Sequence, residues 1–119
     1  MSEGAAITLL LCTTCAGAET RDQDRDAIRA ALQRQGLGDR VRLRDVACMG
    51  ACETPVSLGL QGVGRASYVF AGIAPQQDAA DIARTCQHYL DSSAGWIEDA
   101  RPCGRLRLCL RTRLPALQD

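Results

Sequence analysis

Residues 41–60 read VRLRDVACMGACETPVSLGL, and this stretch holds two strand patterns with a cysteine-rich loop between them. From Val41 to Val46, apolar and charged side chains alternate, which predicts a strand with one buried face. A second alternation runs from Val56 to Leu60 and predicts another strand. The residues from Ala47 to Thr54 are rich in cysteine and glycine and predict a loop. The stretch therefore predicts a cysteine pair directly after the end of a strand.

The chain on the N-terminal side of this stretch adds a strand and a helix. A continuous apolar run from Ile7 to Cys12 predicts a buried strand, and Thr13 to Thr20 predicts a loop. Arg21 to Gln35 predicts a helix that stops at the glycines following it, with an inward face formed by Ile28, Ala31, Leu32 and Gln35. Because a strand–helix–strand unit implies a right-handed crossover, we expect its two strands to be parallel neighbours.

The chain on the C-terminal side adds a hairpin and a second helix. A turn from Gln61 to Gly64 leads into a strand from Ala66 to Phe70, which predicts an antiparallel pair. Pro75 to Leu90 predicts a helix whose inward face consists of Ala79, Ile82, Ala83, Cys86 and Tyr89. The resulting order, β-α-β-β-β-α with a four-stranded sheet, predicts an α/β fold of the thioredoxin-like kind.

The length predicts a single domain over residues 1–119, with a core from about residue 6 to about residue 90 and an extension over residues 91–119. The extension carries five arginines and no acidic residue between Arg101 and Arg113. Its leucines alternate as in a strand, yet Leu106, Leu110 and Leu114 also fit a helical stripe. The pattern leaves both alternatives open.

The charge balance and the hydropathy exclude two classes of partner. The chain has 14 acidic and 14 basic residues, and every basic residue is arginine. A protein selected for nucleic acid would carry a basic excess, so we predict no nucleic-acid partner. No stretch approaches the ~20 apolar residues that cross a bilayer, so we predict no membrane partner.

Seven cysteines are many for a chain of 119 residues. Their odd number argues against a complete disulfide framework. The N-terminus is acidic, and the apolar run from Ala5 to Leu11 is too short for a signal sequence, so we predict a cytoplasmic location. In a reducing compartment, clustered cysteines more often bind metal or carry out redox chemistry than form structural disulfides.

Two short-spaced cysteine pairs carry the predicted chemistry: Cys12 with Cys15, and Cys48 with Cys52. Each pair follows a predicted strand. Because parallel neighbouring strands end at the same edge of a sheet, we expect the two pairs to face each other. Four converging thiolates are the ligand set of a 2Fe–2S cluster, and they also suit Zn.

The segment from Cys48 to Val56, followed by a hairpin with Tyr68 and then a helix, resembles thioredoxin-like 2Fe–2S ferredoxins. The chain also resembles related small predicted metal-binding proteins of unknown function. Those proteins share the early cysteine pair, the later pair followed by proline, and an arginine–proline step, here Arg101-Pro102. The resemblance covers roughly residues 7–115.

The resemblance implies an electron carrier that is not itself an enzyme. It implies that Cys12 and Cys15 hold one iron of the cluster, and that Cys48 and Cys52 hold the other. It also implies a homodimer, because thioredoxin-like ferredoxins often pair.

Two other functions fit the same cysteines. A thiol–disulfide oxidoreductase would use Cys12 and Cys15, with Pro55 in the position of the cis-proline that precedes a thioredoxin hairpin. Such an enzyme has no need of Cys48 and Cys52. A closed Cys₄ zinc site without chemistry would use all four cysteines.

The remaining notable residues are predicted to pack or to lie in solvent. Cys86, Cys103 and Cys109 are predicted to pack, His88 is predicted to be solvated on its helix, and Trp96 is predicted to pack in the extension. The arginine-rich extension is either a solvated face or a docking patch for an acidic redox partner protein, formed by Arg105, Arg107 and Arg111.

Overall fold

The first half of the chain forms a strand–helix–strand unit in the computed structural model, which describes residues 6–12, 21–47 and 56–116. Strand β1 spans Ile7–Cys12, helix α1 spans Arg21–Arg34 and strand β2 spans Val41–Val46. The two strands are parallel, and their register runs from Ile7 opposite Val41 to Cys12 opposite Val46. The predicted parallel pair is therefore confirmed, and β2 has the bounds expected from its alternating side chains.

The second half adds a hairpin and a long helix. Strands β3 (Leu58–Gln61) and β4 (Ser67–Phe70) are antiparallel, and helix α2 spans Pro75–Asp91. Strand β3 also pairs antiparallel with β1, on the side opposite to β2. The predicted element order β-α-β-β-β-α is present, and β1 lies between β2 and β3.

The C-terminal extension forms both of the structures between which the sequence left the choice open. A 3₁₀ segment covers Arg101–Leu108, and strand β5 (Leu110–Leu114) pairs antiparallel with β4. The prediction of four strands is wrong, because the described sheet has five in the order β2-β1-β3-β4-β5. Leu106 is completely buried and Leu108 is 76% exposed, so the chain anchors itself on Leu106 before it turns into the edge strand.

The core lies between one face of the sheet and the helices, and it is mainly aliphatic. Leu9 and Leu11 of β1 are fully buried, as are Ile28 of α1 and Ile82 of α2. Gln35, predicted on the inward face, is exposed. The reason is that α1 ends at Arg34 and the chain turns away through Gly36, whose φ is +76°. No helix in the described part of the chain is long and apolar enough to span a membrane.

Candidate functional site

Cys12 is the last residue of β1, at the edge of the sheet where β1 and β2 both end. Its side chain is completely buried. Its Sγ donates a hydrogen bond to the carbonyl oxygen of Ala47 at 3.3 Å. Ala47 follows β2 directly and precedes Cys48 in the chain. The first cysteine of one pair is therefore held against the backbone that leads into the other pair.

The opposite side of Cys12 is fixed to the start of the hairpin. The backbone N–H of Cys12 donates to the carbonyl oxygen of Ser57 at 3.2 Å. The eight residues 48–55 therefore join two strands that lie on opposite sides of β1, and both ends of this connection lie beside Cys12. We call this region, marked by Cys12, Ala47 and Ser57, the thiol edge.

Three of the four predicted ligands fall outside the described residues. Cys15 lies between β1 and α1, whereas Cys48, Cys52 and the predicted cis-proline Pro55 lie between β2 and β3. Within the described ranges, no group of three or more His, Cys, Asp or Glu side chains could hold a metal ion. The candidate ligand set thus stays the one that the sequence predicts, with Cys12 as its described member.

A buried polar network lies at the same edge, between the first turns of the two helices. Arg21 and Asp24 form an ion pair through Nη1 and Oδ2 at 2.7 Å, and each side chain is only 4% exposed. Nε2 of Gln76 donates to Oδ1 of Asp24 at 3.0 Å and connects α1 with α2. Nε and Nη2 of Arg21 are buried, and neither has a hydrogen-bond partner among the residues that the structure describes.

This network could not be found from the sequence pattern. The acidic residues near the start of α1 predict only a favourable interaction with the helix dipole. Asp24 is instead buried and paired. Its only sequence signal is its spacing of three residues from Arg21, which places the two side chains on neighbouring positions of one helix face.

Arg105 of the extension is bonded to its own chain, and its predicted part in docking a partner stays a prediction. Its Nε and Nη2 donate to the two carboxylate oxygens of Asp78 on α2 at 2.9 and 2.7 Å. Nη2 also donates to the carbonyl oxygen of Gly72 at 2.7 Å. The guanidinium is thus engaged with its own chain, whereas Arg107 is exposed on the neighbouring turn.

The other predicted roles of the extension and of α2 can be compared directly with the structure. Cys86, Cys103 and Cys109 are buried, which confirms that they pack. Burial and the nearby Cys103 raise the pKa of Cys86 to about 12, so its thiol stays protonated. The Arg113 guanidinium stacks 3.9 Å above the Trp96 ring centre, but Trp96 is 37% exposed, so it packs only against the surface of the extension.

His88 differs from its prediction. The sequence places it in solvent on its helix, yet its side chain is only partly exposed. Its Nε2 lies 2.8 Å from the carbonyl oxygen of Asp99, so the imidazole connects α2 to the segment before the 3₁₀ segment. This role is structural, and it has no counterpart in the local sequence pattern.

Comparison with known proteins gives a family and no function. A family model described as "Protein of unknown function (DUF1636)" matches residues 9–116. Searches of curated proteins and of solved structures found no match. The family match agrees with the expected resemblance to small proteins of unknown function, whereas the resemblance to thioredoxin-like ferredoxins stays a prediction.

Proposed function

Because the chain belongs to the DUF1636 family, whose function is unknown, we propose a function from the thiol edge itself. The protein holds one 2Fe–2S cluster through Cys12, Cys15, Cys48 and Cys52 and transfers electrons one at a time. It acts as an electron carrier rather than as an enzyme.

The position of Cys12 carries this proposal. Its thiol contacts the carbonyl of Ala47, one residue before Cys48, and its amide contacts Ser57, five residues after Cys52. Cys15 is only three residues further along the chain from Cys12. All four cysteines are therefore tied by short lengths of chain to one end of β1, which is the condition for four thiolates to meet.

The chemistry of the donors fits a cluster. Thiolate sulfur is a soft ligand that suits iron–sulfur clusters, and four such ligands complete a 2Fe–2S centre. Bound there, the cluster would supply one-electron transfer. The complete burial of Cys12 limits solvent access to this ligand, and solvent exposure is one of the factors that set a cluster potential.

The sheet topology supports a thioredoxin-like fold for this carrier. Strands β1 and β2 are parallel, β3 is antiparallel to β1, and β4 continues the hairpin. Helices α1 and α2 pack against each other, so both cover the same face of the sheet. In this proposal β5 and the 3₁₀ segment are additions beyond the four-stranded core.

The partner in this proposal is an acidic redox protein that docks on the extension. Arg107 and Arg111 are exposed, which makes them the candidates for this contact. Interactions of this kind are small and sensitive to salt. Neutralising Arg107 and Arg111 together is expected to slow reduction by a partner and to weaken its dependence on ionic strength.

The first test is the composition of the wild-type protein purified without oxygen. We expect a brown protein with two irons and two sulfides per chain, whose visible absorption is bleached by dithionite. Cys15→Ala and Cys48→Ala should each lose the cluster. Cys109→Ala is the matched control, because Cys109 is buried in the extension and should leave the iron content unchanged.

Two other results would replace the proposal. A colourless protein with one zinc per chain would identify a Cys₄ zinc site. A metal-free protein in which Cys12 and Cys15 cycle between dithiol and disulfide would identify a thiol–disulfide oxidoreductase.

A further inference from the structure

We propose that Arg21 is the buried cation of the thiol edge, and that its Nε and Nη2 donate hydrogen bonds to the sulfur atoms of the bound cluster or of its thiolate ligands. This inference rests on the proposed function, and it assigns to that site a residue outside the four cysteines.

Arg21 is placed at the thiol edge by the fold. It is the first residue of α1, nine positions after Cys12 and six after Cys15. Because β1 ends at this edge and α1 packs back along the sheet toward the start of the parallel strand β2, the first turn of α1 lies at the end of β1. The bond from Gln76 to Asp24 brings the first turn of α2 to the same place.

Two nitrogen atoms of the Arg21 guanidinium, Nε and Nη2, lack hydrogen-bond acceptors among the described residues. The guanidinium has five N–H donors, and among the described residues only Nη1 has a partner, the carboxylate of Asp24. Nε and Nη2 are buried without an acceptor among the described residues. Leaving buried donors of a charged group unpaired is strongly unfavourable, so the structure indicates that an acceptor belongs beside them.

The chemistry of the missing acceptor follows from its surroundings. The neighbouring carboxylate, Asp24, already accepts from both Arg21 and Gln76. In the proposed function four cysteines also belong to this edge, and their sulfur, as thiolate or cluster sulfide, is anionic and accepts N–H bonds. A guanidinium is well suited to this position, because it stays charged in a buried environment and presents its donors in a rigid fork.

A cation at this position has a predictable effect on the electron. Reduction adds one negative charge to a group that is already anionic, so a neighbouring buried Arg21 stabilises the reduced form. Removing the charge should therefore make the reduction potential more negative. We expect at least a tenfold loss in the ratio of reduced to oxidised protein at a fixed potential, which is about 59 mV for a one-electron couple.

The experiment compares the potentials of loaded proteins by spectroelectrochemistry. Arg21→Gln removes the charge, and Arg21→Lys keeps it with fewer donors. Arg29→Gln is the matched control, because Arg29 is exposed on the same helix. Arg21→Gln leaves Asp24 buried without its cation, so the double variant Arg21→Gln/Asp24→Asn is made to keep the network neutral. Circular dichroism checks that each variant folds.

The double variant is compared with Asp24→Asn, from which it differs only in the charge of residue 21. Three outcomes decide between the ideas. A lower potential for the double variant than for Asp24→Asn, a smaller change for Arg21→Lys and none for Arg29→Gln would support the inference. A folded double variant that keeps its cluster at the potential of Asp24→Asn would overturn the role of Arg21 and leave the proposed function intact. A wild-type protein that contains no iron–sulfur cluster would overturn the proposed function and this inference with it.

Discussion

Tyr68 shows how a single residue of the hairpin holds the extension in place. Its hydroxyl donates to the carbonyl oxygen of Gly95 at 3.0 Å and accepts the N–H of Ile97 at 2.8 Å. Tyr68→Phe removes both bonds and leaves two buried backbone groups unpaired. We expect the free energy of unfolding in urea to fall by about 2 kcal/mol. Ser67→Ala, on the same strand and half-buried, is the control and should change it by less than about 0.5 kcal/mol.

Gly104 lies where a larger side chain would strain the backbone and meet Asp81. Its φ is +64° and its ψ is −132°, inside the 3₁₀ segment. An added Cβ would lie 2.5 Å from the carboxyl carbon of Asp81. Gly64 has a similar φ of +73° with open space around it.

The two alanine variants differ in two respects, because Gly104→Ala adds both the contact with Asp81 and the strongly negative ψ. Gly64→Ala should cost about 1 kcal/mol of stability from its positive φ. Gly104→Ala should cost about 2 kcal/mol more, measured by thermal or urea unfolding of both variants. Equal losses would contradict this account of Gly104.

Among the elements, the contact between α2 and the 3₁₀ segment depends on one carboxylate. Asp78 is nearly buried, and it accepts the N–H of Ala74 at the start of α2 in addition to the bonds from Arg105. Asp78→Asn should lower the free energy of unfolding by about 1–2 kcal/mol at pH 7, because charged hydrogen bonds are lost. Asp26→Asn, at an exposed position of α1, should have little effect.

The same carboxylate predicts a dependence on pH. Burial alone would raise the pKa of Asp78, but the hydrogen bonds from Arg105 and Ala74 outweigh it and lower the pKa below the ordinary value of 3.8. A lowered native pKa gives stability that is present above pH 3.8 and is lost as the pH falls through the native pKa. The difference between wild type and Asp78→Asn should therefore shrink below pH 3.8, and a constant difference would contradict this account.

The sequence predicts best those elements in which apolar side chains recur with a single regular spacing. The alternation in Val41–Val46 gives β2 its bounds, and the stripe on α2 gives five residues that are all buried. The extension could not be resolved in this way, because Gly104 with its positive φ kinks the 3₁₀ segment, and a strand of different period follows that segment directly. Gln35 fits the stripe of α1 by spacing, but the helix ends before it.

The sequence predicts the four cysteines of the candidate site, of which the structure describes Cys12, but it does not predict the residues around Cys12. Spacing after two strands predicts that Cys12 and Cys48 belong to one edge, and the contact from Cys12 to Ala47 agrees with this. The burial of Arg21 and the pairing of Arg105 with Asp78 depend on packing between distant elements. A local pattern of charges predicts that such residues are solvated, because it contains no information about the element that packs against them.

At the scale of the whole molecule, Cys86 reports on global unfolding. It is completely buried on α2, and the pKa of its thiol is raised to about 12 by burial and by Cys103. Alkylation of Cys86 should therefore be slowed at least about 1,000-fold relative to the unfolded chain and should follow the unfolding equilibrium as urea is added. Mass spectrometry of the labelled peptides measures this rate. Labelling at a rate above that of global unfolding would mean that α2 opens locally.

In the proposed function, the connection between β2 and β3 would give the sheet a role in the thermodynamics of metal capture. The two ends of this connection lie on either side of Cys12, so its short length would keep the second cysteine pair within reach of the first at a local concentration of roughly millimolar or higher. Closing the ring of ligands then requires little additional loss of chain entropy, which is the basis of a chelate effect. The affinity for metal would thus depend mainly on the pairing of β1 with β2 and β3. A substitution that separates β1 from either strand would release the metal, although every ligand is unchanged.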